Sequence, residues 1–486
     1  MAQASASLAD LACWTQWNHI QWDKVESSVK QLQMRIAKAT RDKRWNKVKA
    51  LQRILTRCSK LAKMLAIRRV TQNKGSKTAG VDKELWLTSD SKMNAVSRLK
   101  VKGYKALPLK RVYIPKKNKK LRSLGIPTML TRAMQALYLL ALEPVSETLA
   151  DKHAYGFRPK RSCADAIEQL FTVFSRKRSA QWALEGDIKA CFDSISQTWL
   201  EKNIPMDKVM LAKWLKAGYI ENSTLFPTLA GTPAGGIISP TLLTMTLKGL
   251  EDALKAVTKP KDKVHLVTYA DDFVISGASE EILEKVVKPL VVKFLLERGL
   301  ELSPEKTLIT HINKGFDFLG FNVRKYGQKL LTKPAKKSVV MFLDKLKQLI
   351  KVSVNLDPGE LVLKLNLKIK GWSNYYRHGV SKQTFAKVDH VIFRAMLDWT
   401  KRRHPERGVR WLVKHYFCTI GGDHWVFHSK YTAKDGSLYR ILLYKASATK
   451  IRRHIKIKSA ANPYDPEYTE YFKERMNRYP YVRVAA

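Results

Sequence analysis

Acid is what this sequence is short of. Its 486 residues include 42 Asp or Glu against 89 Lys or Arg, a formal charge of +47. A chain so one-sided repels itself unless a polyanion neutralises it, and nucleic acid is the natural partner. Long apolar runs are also missing: none approaches the ~20 residues that span a bilayer, so an anionic membrane is the weaker alternative. The five cysteines, Cys13, Cys58, Cys163, Cys191 and Cys418, lie far apart with no Cys-x-x-Cys pair. That excludes a disulfide scaffold and argues against a cysteine-ligated zinc module. Met1 to Cys13 has neither a basic stretch nor a long apolar one, so no secretory signal is expected there. Core-forming residues, by contrast, are plentiful: 45% hydrophobic residues and 12 Trp exclude a disordered polycation. The expectation is a cytoplasmic, nucleic-acid-handling protein of roughly two to four domains.

From 14 to 68 the sequence reads as helical. Behind Trp14, Trp17 and Trp22, the residues Val29, Leu32, Met34, Ile36, Val48, Leu51, Ile54 and Leu55 recur at near-helical spacing. Between them lie Lys38, Arg41, Lys43, Arg44, Lys47, Lys49, Arg53 and Arg57, and Asp42 is the only acid from Ala37 to Ala62. With no acids to match, i,i+4 pairing cannot be the purpose of this face. A solvated helix surface is the plain alternative; contact with an RNA or DNA backbone is the preferred reading. From about 70 to 330, short β-like runs (111–115, 182–188, 264–270, 273–276) alternate with helical ones such as 130–142 and 280–298. The stretches 338–350 and 361–401 read as mainly helical, and 425–428 and 440–444 as strands.

The most informative stretch is Val264-His265-Leu266-Val267-Thr268-Tyr269-Ala270-Asp271-Asp272-Phe273-Val274-Ile275-Ser276. Two apolar strands flank a polar pair, the pattern of a tight hairpin with two carboxylates at its tip. Adjacent aspartates repel one another unless a cation sits between them or water surrounds them. An ordinary exposed turn is the alternative. Upstream, the run Trp182 to Ile188 is an apolar strand ending in Asp187, followed five residues on by Phe192. A strand-end Asp beside an Asp-bearing hairpin offers three hard oxygen donors for two Mg²⁺ ions, which favour a few carboxylates plus substrate phosphates. Two such ions activate a 3′-hydroxyl and stabilise a leaving pyrophosphate, the chemistry of a polymerase palm.

Further blocks accompany these acids in a fixed order. Arg111-Val112-Tyr113-Ile114-Pro115-Lys116, Arg122-Ser123-Leu124-Gly125-Ile126-Pro127-Thr128 and His153-Ala154-Tyr155-Gly156-Phe157-Arg158-Pro159 precede Asp187. Gly231-Thr232-Pro233-Ala234-Gly235-Gly236 lies between Phe192 and the hairpin. Leu302-Ser303-Pro304-Glu305-Lys306-Thr307, Phe318-Leu319-Gly320-Phe321 and Gly371-Trp372-Ser373-Asn374-Tyr375-Tyr376-Arg377 follow it. As a set they resemble the group II intron reverse transcriptases/maturases over nearly the whole chain.

The resemblance implies an α+β right-hand polymerase: fingers and palm around a central antiparallel sheet, an α-helical thumb and a small basic C-terminal domain. It divides the chain into a basic RNA-binding extension (1–68), fingers and palm (69–330), thumb or maturase domain (331–415) and DNA-binding region (416–486). It implies an RNA-directed DNA polymerase that binds a group II intron RNA, assists its splicing and copies it into cDNA during intron mobility. Asp187, Asp271 and Asp272 are then the catalytic ligands of two Mg²⁺ ions. Lys116 and Arg122 hold the triphosphate of an incoming dNTP, Phe192 excludes a ribose 2′-hydroxyl, and Gly235 and Gly236 let backbone approach the nucleotide or template. Arg41, Lys43, Arg44 and Lys47 bind RNA. Partners are the intron RNA, a DNA target and primer strand, and dNTPs, with no membrane; the setting is prokaryotic and nucleoid-associated. Nothing in the pattern sets an oligomeric state.

The sequence also departs from the family. Ala234 replaces a usual Gln, Lys119 a usual Gly and Ser123 a usual Pro, and Ala79 and Lys83 stand where Pro and Gly are common. Many members continue into a His-Asn-His endonuclease with paired cysteines. Here no cysteine follows Cys418, and His404, His415, His424, His428 and His454 lack regular ligand spacing. The expectation is a form without that endonuclease, its histidines at the surface or on RNA. The rival functions are a domesticated reverse transcriptase of repair or defence, and a maturase that serves splicing alone.

Overall fold

The computed structural model describes residues 16–115, 121–232, 235–433 and 435–478. The apolar spacing near the N-terminus folds as the helices Trp22–Arg41, Trp45–Arg53 and Lys60–Thr71, all packed on a longer helix, Met129–Leu149. That central helix is buried along most of its length, on more than one face. It contains Pro144, which has no N–H to give the carbonyl of Leu140 one turn earlier. Gln33 on Trp22–Arg41, itself buried, donates its side-chain amide to that carbonyl at 2.8 Å. Gln52 donates likewise to Ala141 O at 3.3 Å. Two N-terminal glutamines thus satisfy carbonyls beside the proline, where an unpaired buried acceptor would be costly.

Packing divides the chain into two units, 1–162 with 184–309 and 457–486, and 163–183 with 310–456. The first unit holds a four-stranded sheet in the order Leu121–Ile126, Leu109–Pro115, Tyr219–Glu221, Thr224–Phe226. Leu109–Pro115 runs antiparallel to Leu121–Ile126 and parallel to Tyr219–Glu221. A second sheet has the order Leu266–Tyr269, Asp272–Gly277, Trp182–Asp187, Leu308–His311. The four β-like runs expected between 70 and 330 fall on strands of these two sheets. The hairpin at 219–226 has no such signal in the sequence, being two strands of three residues each.

The second unit contains an antiparallel sheet of Phe316–Phe318, Phe321–Tyr326 and Lys329–Pro334. Leu319 and Gly320 form its first turn with φ of +48° and +78°, the left-handed pair that suits a two-residue hairpin. Tyr375 donates its hydroxyl to Leu319 O at 2.8 Å. Helices Lys336–Val352, Pro358–Tyr376, Lys382–Arg403 and Val409–Tyr416 follow, then an antiparallel sheet of Phe417–Ile420, Asp423–Thr432 and Leu438–Leu442. Phe385, Trp399 and Phe427 are fully buried, and Trp372 stacks on Phe342 at 4.5 Å. His454 departs from the surface role expected of the C-terminal histidines: it is buried, with Nε2 2.8 Å from Asp165 Oδ1. Asp165 is itself buried in the helix Cys163–Phe174, and a buried carboxylate needs such a partner. Among the described residues no helix is long and apolar enough to cross a membrane.

Candidate active site

The strand Trp182–Asp187 brings Asp187 to its C-terminal end, and its penultimate residue decides how closely the next strand can lie. A Cβ on Gly186 would come within 2.1 Å of the Phe273 ring, so only glycine lets that ring settle there. Phe273 follows the acid pair directly. In the hairpin, Tyr269 pairs with Asp272, leaving Ala270 and Asp271 as a two-residue loop. Ala270 has φ +60°, a left-handed conformation that costs a residue with a Cβ about 1–2 kcal/mol. Strain of this kind persists where surrounding structure over-determines it.

That surrounding structure is the segment 151–158. Tyr155 N donates to Thr268 O at 2.9 Å, and Thr268 N to His153 O at 3.1 Å, so the segment pairs alongside the first hairpin strand. Gly156 lies against the loop: a Cβ there would meet Ala270 N at 2.1 Å. The segment is anchored from behind by charge. Arg158 donates to Glu147 Oε1 at 2.6 Å and to the carbonyls of Asp151 and Ala154 at 2.7 and 2.8 Å. Glu251 accepts from His153 N at 3.2 Å and from Lys255 Nζ at 2.6 Å, and its carboxyl is held down at about 2 by His153 and Lys255 despite burial.

The three acids come together at the end of this sheet. The Asp272 carboxyl is pushed up to about 6, first by loss of hydration, then by the charges of Asp271 and Asp187 and a hydrogen bond with Asp187. The buried Cys191 thiol is pushed up by burial and by Asp271, Asp187 and Asp193. Against these stands Lys306, donating to Asp187 Oδ2 at 2.7 Å and pushed up by that bond. One ammonium facing three carboxylates leaves positive charge in deficit, and clustered carboxylate oxygens are what Mg²⁺ selects. Among the described residues no three potential ligands form a ready-made cage.

Phe192 is half-buried, edge-on to Phe157 at 6.2 Å. Its carbonyl accepts from Thr232 N at 2.7 Å, and Gly231 N donates to Ile195 O at 2.8 Å. The Gly231-Thr232 stretch is thereby laced to the turn after Asp187. Gly235 has φ +114°, and a Cβ there would sit 2.8 Å from Gly125 O; Gly236 is buried. Arg122 is exposed on Leu121–Ile126, opposite Ile114. Lys116 and Ala234 lie outside the described residues. Arg41, Lys43, Arg44 and Lys47 are all exposed, and Arg41 is ion-paired with Asp465. In the sequence His153, Gly156 and Lys306 stand out only as members of blocks, and Gly186 and Glu251 do not stand out as supports at all. A glycine directly before an acid, or between two aromatics, is the signal that could have found the two glycines.

Three family profiles match the chain: N-terminal domain of reverse transcriptase over 17–99, reverse transcriptase (RNA-dependent DNA polymerase) over 114–323, and group II intron, maturase-specific domain over 339–417. Group II intron-encoded protein LtrA of Lactococcus lactis subsp. cremoris is 31% identical over 329 residues, covering 54% of each chain. Protein YkfC of Escherichia coli (strain K12) is 30% identical over 324 residues, covering 56% of this chain and 82% of its own. The chain spans about half the length of the Lactococcus relative. A telomerase structure from Candida albicans aligns at TM-score 0.37 with 15% identity, over 63% of this chain and 64% of its own.

Proposed function

Since this chain belongs to the group II intron-encoded reverse transcriptase/maturase family, with the family's right-hand polymerase fold, we propose that it is an RNA-directed DNA polymerase that also binds a group II intron RNA and assists its splicing. The observation that carries the polymerase reading is the convergence of Asp187, Asp271 and Asp272 on one sheet end with Lys306 as their cation. Asp187, Asp271 and Asp272 would hold two Mg²⁺ ions, which would supply the charge that activates a 3′-hydroxyl and stabilises a departing pyrophosphate. The chain's own part is positioning. Gly186 and Gly156 bring backbone and ring close enough to fix the acids, and Lys306 balances Asp187. Arg122 and Lys116 hold the triphosphate of a dNTP. In domain terms, 1–68 binds RNA, 69–330 forms fingers and palm, 331–415 is the thumb, and 416–486 contacts a DNA target. The test is primer extension on an RNA template with dNTPs and Mg²⁺; no extension by the wild type sinks the polymerase reading.

Two narrower outcomes follow from the same reading. Phe192, edge-on to Phe157 and bound through its carbonyl to Thr232, is the group that would meet a ribose 2′-hydroxyl. Phe192→Val should narrow the preference for dNTPs over rNTPs by about ten- to a hundredfold, the scale on which a pocket rejects one extra hydroxyl. Single-nucleotide incorporation with each substrate measures it, and an unchanged ratio removes the assignment. On the N-terminal helices, Gln at Arg41, Lys43, Arg44 and Lys47 should flatten the salt dependence of RNA binding by about 0.7–0.9 log units for each phosphate no longer neutralised. Arg41 should contribute least, since Asp465 already engages it. An unaltered slope in a filter-binding titration would return this face to solvent.

A further inference from the structure

Away from the acids, the first unit encloses a cavity of about 500 Å³ between the helix Trp22–Arg41 and the segment 462–467. The volume falls in the range of small-molecule sites, roughly 300–1,000 Å³, and exceeds what one base needs. Its walls include Met34, Ala37 and Tyr464. Tyr464 is held in place: buried, it donates its hydroxyl to the half-buried carboxylate of Glu143. The floor therefore has its polar atom already bonded and presents ring and methyl surface.

The rim is charged and asymmetric. Arg35 and Lys38, exposed and one turn apart on the helix wall, have no acidic partner among the described residues. Arg41, the third cation, is ion-paired with Asp465. On the other wall stands Glu467, which repels an anion and gives the slot a polarity. Unpaired cations beside an apolar slot match a nucleotide, whose base seeks a dry surface and whose phosphate seeks positive charge. A strand is favoured over a free nucleotide because the basic surface runs on past the slot through Lys43, Arg44 and Lys47, all exposed.

We propose that this slot takes one unpaired nucleotide of an RNA strand, its base among Met34, Ala37 and Tyr464 and its phosphate on Arg35 and Lys38. The inference rests on the reading that the chain binds RNA, and it adds a preference that charge alone does not give: an extruded base over a fully paired stem. The probe is an RNA stem-loop carrying 4-thiouridine in its unpaired loop, irradiated with the full chain, with adducts located by mass spectrometry. A major adduct is expected at Met34 or Tyr464, and a duplex with no unpaired nucleotide should give none there. Met34→Trp fills the slot without changing charge and should weaken stem-loop binding about five- to a hundredfold, the scale of one stacked base. Its salt slope should stay as in the wild type. The surface double variant Arg35→Gln, Lys38→Gln, which leaves the interior untouched, should instead flatten that slope by about 0.7 log units for each phosphate no longer neutralised. Adducts that map elsewhere, or wild-type affinity in both variants, overturn the slot while leaving RNA binding intact. A wild-type chain that does not bind the stem-loop overturns both.

Discussion

Asp271→Asn should abolish primer extension on an RNA template, with a loss of at least about a thousandfold. A carboxylate that holds a metal in a phosphoryl-transfer transition state contributes several kcal/mol, and each decade of rate corresponds to about 1.4 kcal/mol. The amide fits the same space and keeps one oxygen, so the fold has no reason to change. It removes a negative charge beside Asp272, whose carboxyl is pushed up to about 6 partly by that neighbour, and should relax it downward. Asp187→Asn should be as severe and should also free Lys306, whose bond to Asp187 Oδ2 is 2.7 Å long. Both variants should bind RNA as the wild type does, because the proposal puts RNA binding on the basic N-terminal helices and not on these acids. Single-turnover extension beside filter binding separates the two. Substantial extension by either variant would remove the acids from catalysis. Full loss of extension with RNA binding and splicing assistance retained would show the two functions to be separable in one chain.

How much of this is visible in the sequence depends on how local each signal is. The hairpin carrying Asp271 and Asp272 is legible because apolar strands on both sides of a polar pair have few other ways to fold. The strand ending in Asp187 is legible for the same reason. The helices at 22–41 and 60–71 follow from apolar spacing. What stays hidden depends on residues far apart in sequence. Nothing near Pro144 says that Gln33, more than a hundred positions earlier, answers the carbonyl it leaves bare. Nothing near His153 says that Glu251 will hold it, or that its own carbonyl will hold Thr268 beside the acids. His454 misleads for a related reason. In a stretch as basic as Arg452-Arg453-His454-Ile455-Lys456 a histidine reads as surface, yet Asp165 on the helix Cys163–Phe174 draws it inside. Charge composition describes the surface well and says little about single buried pairs.

The same distinction makes two glycines of the family-like blocks unequal. Gly371, in the block Gly371-Trp372-Ser373, lies in the helix Pro358–Tyr376, and a Cβ there meets nothing within 4 Å. Gly371→Ala should be neutral or stabilising, since alanine is favoured over glycine in a helix interior by roughly 0.5–1 kcal/mol. Gly156 is the opposite case. A Cβ there would stand 2.1 Å from Ala270 N, 2.8 Å from Tyr269 C and 3.0 Å from Ala270 Cα, all backbone atoms of the hairpin that carries Asp271 and Asp272. Backbone cannot rotate aside as a long side chain can, so either the hairpin tip or the segment 151–158 must shift by about an ångström. The segment is tied down by Arg158, Glu147 and Glu251 and by two bonds to Thr268. The tip already carries a strained Ala270, with φ of +60°. The tip should yield, carrying Asp271 and Asp272 with it, and a misplacement of about 1 Å at reacting groups costs on the order of a hundredfold in rate. Gly156→Ala should therefore lose about two decades of primer-extension rate while its unfolding midpoint falls by only the few degrees that about 1–3 kcal/mol of overpacking represents. Rapid-quench extension and thermal melts on the two alanine variants measure this together. Wild-type extension by Gly156→Ala would mean that the acids do not depend on the segment packed against their turn.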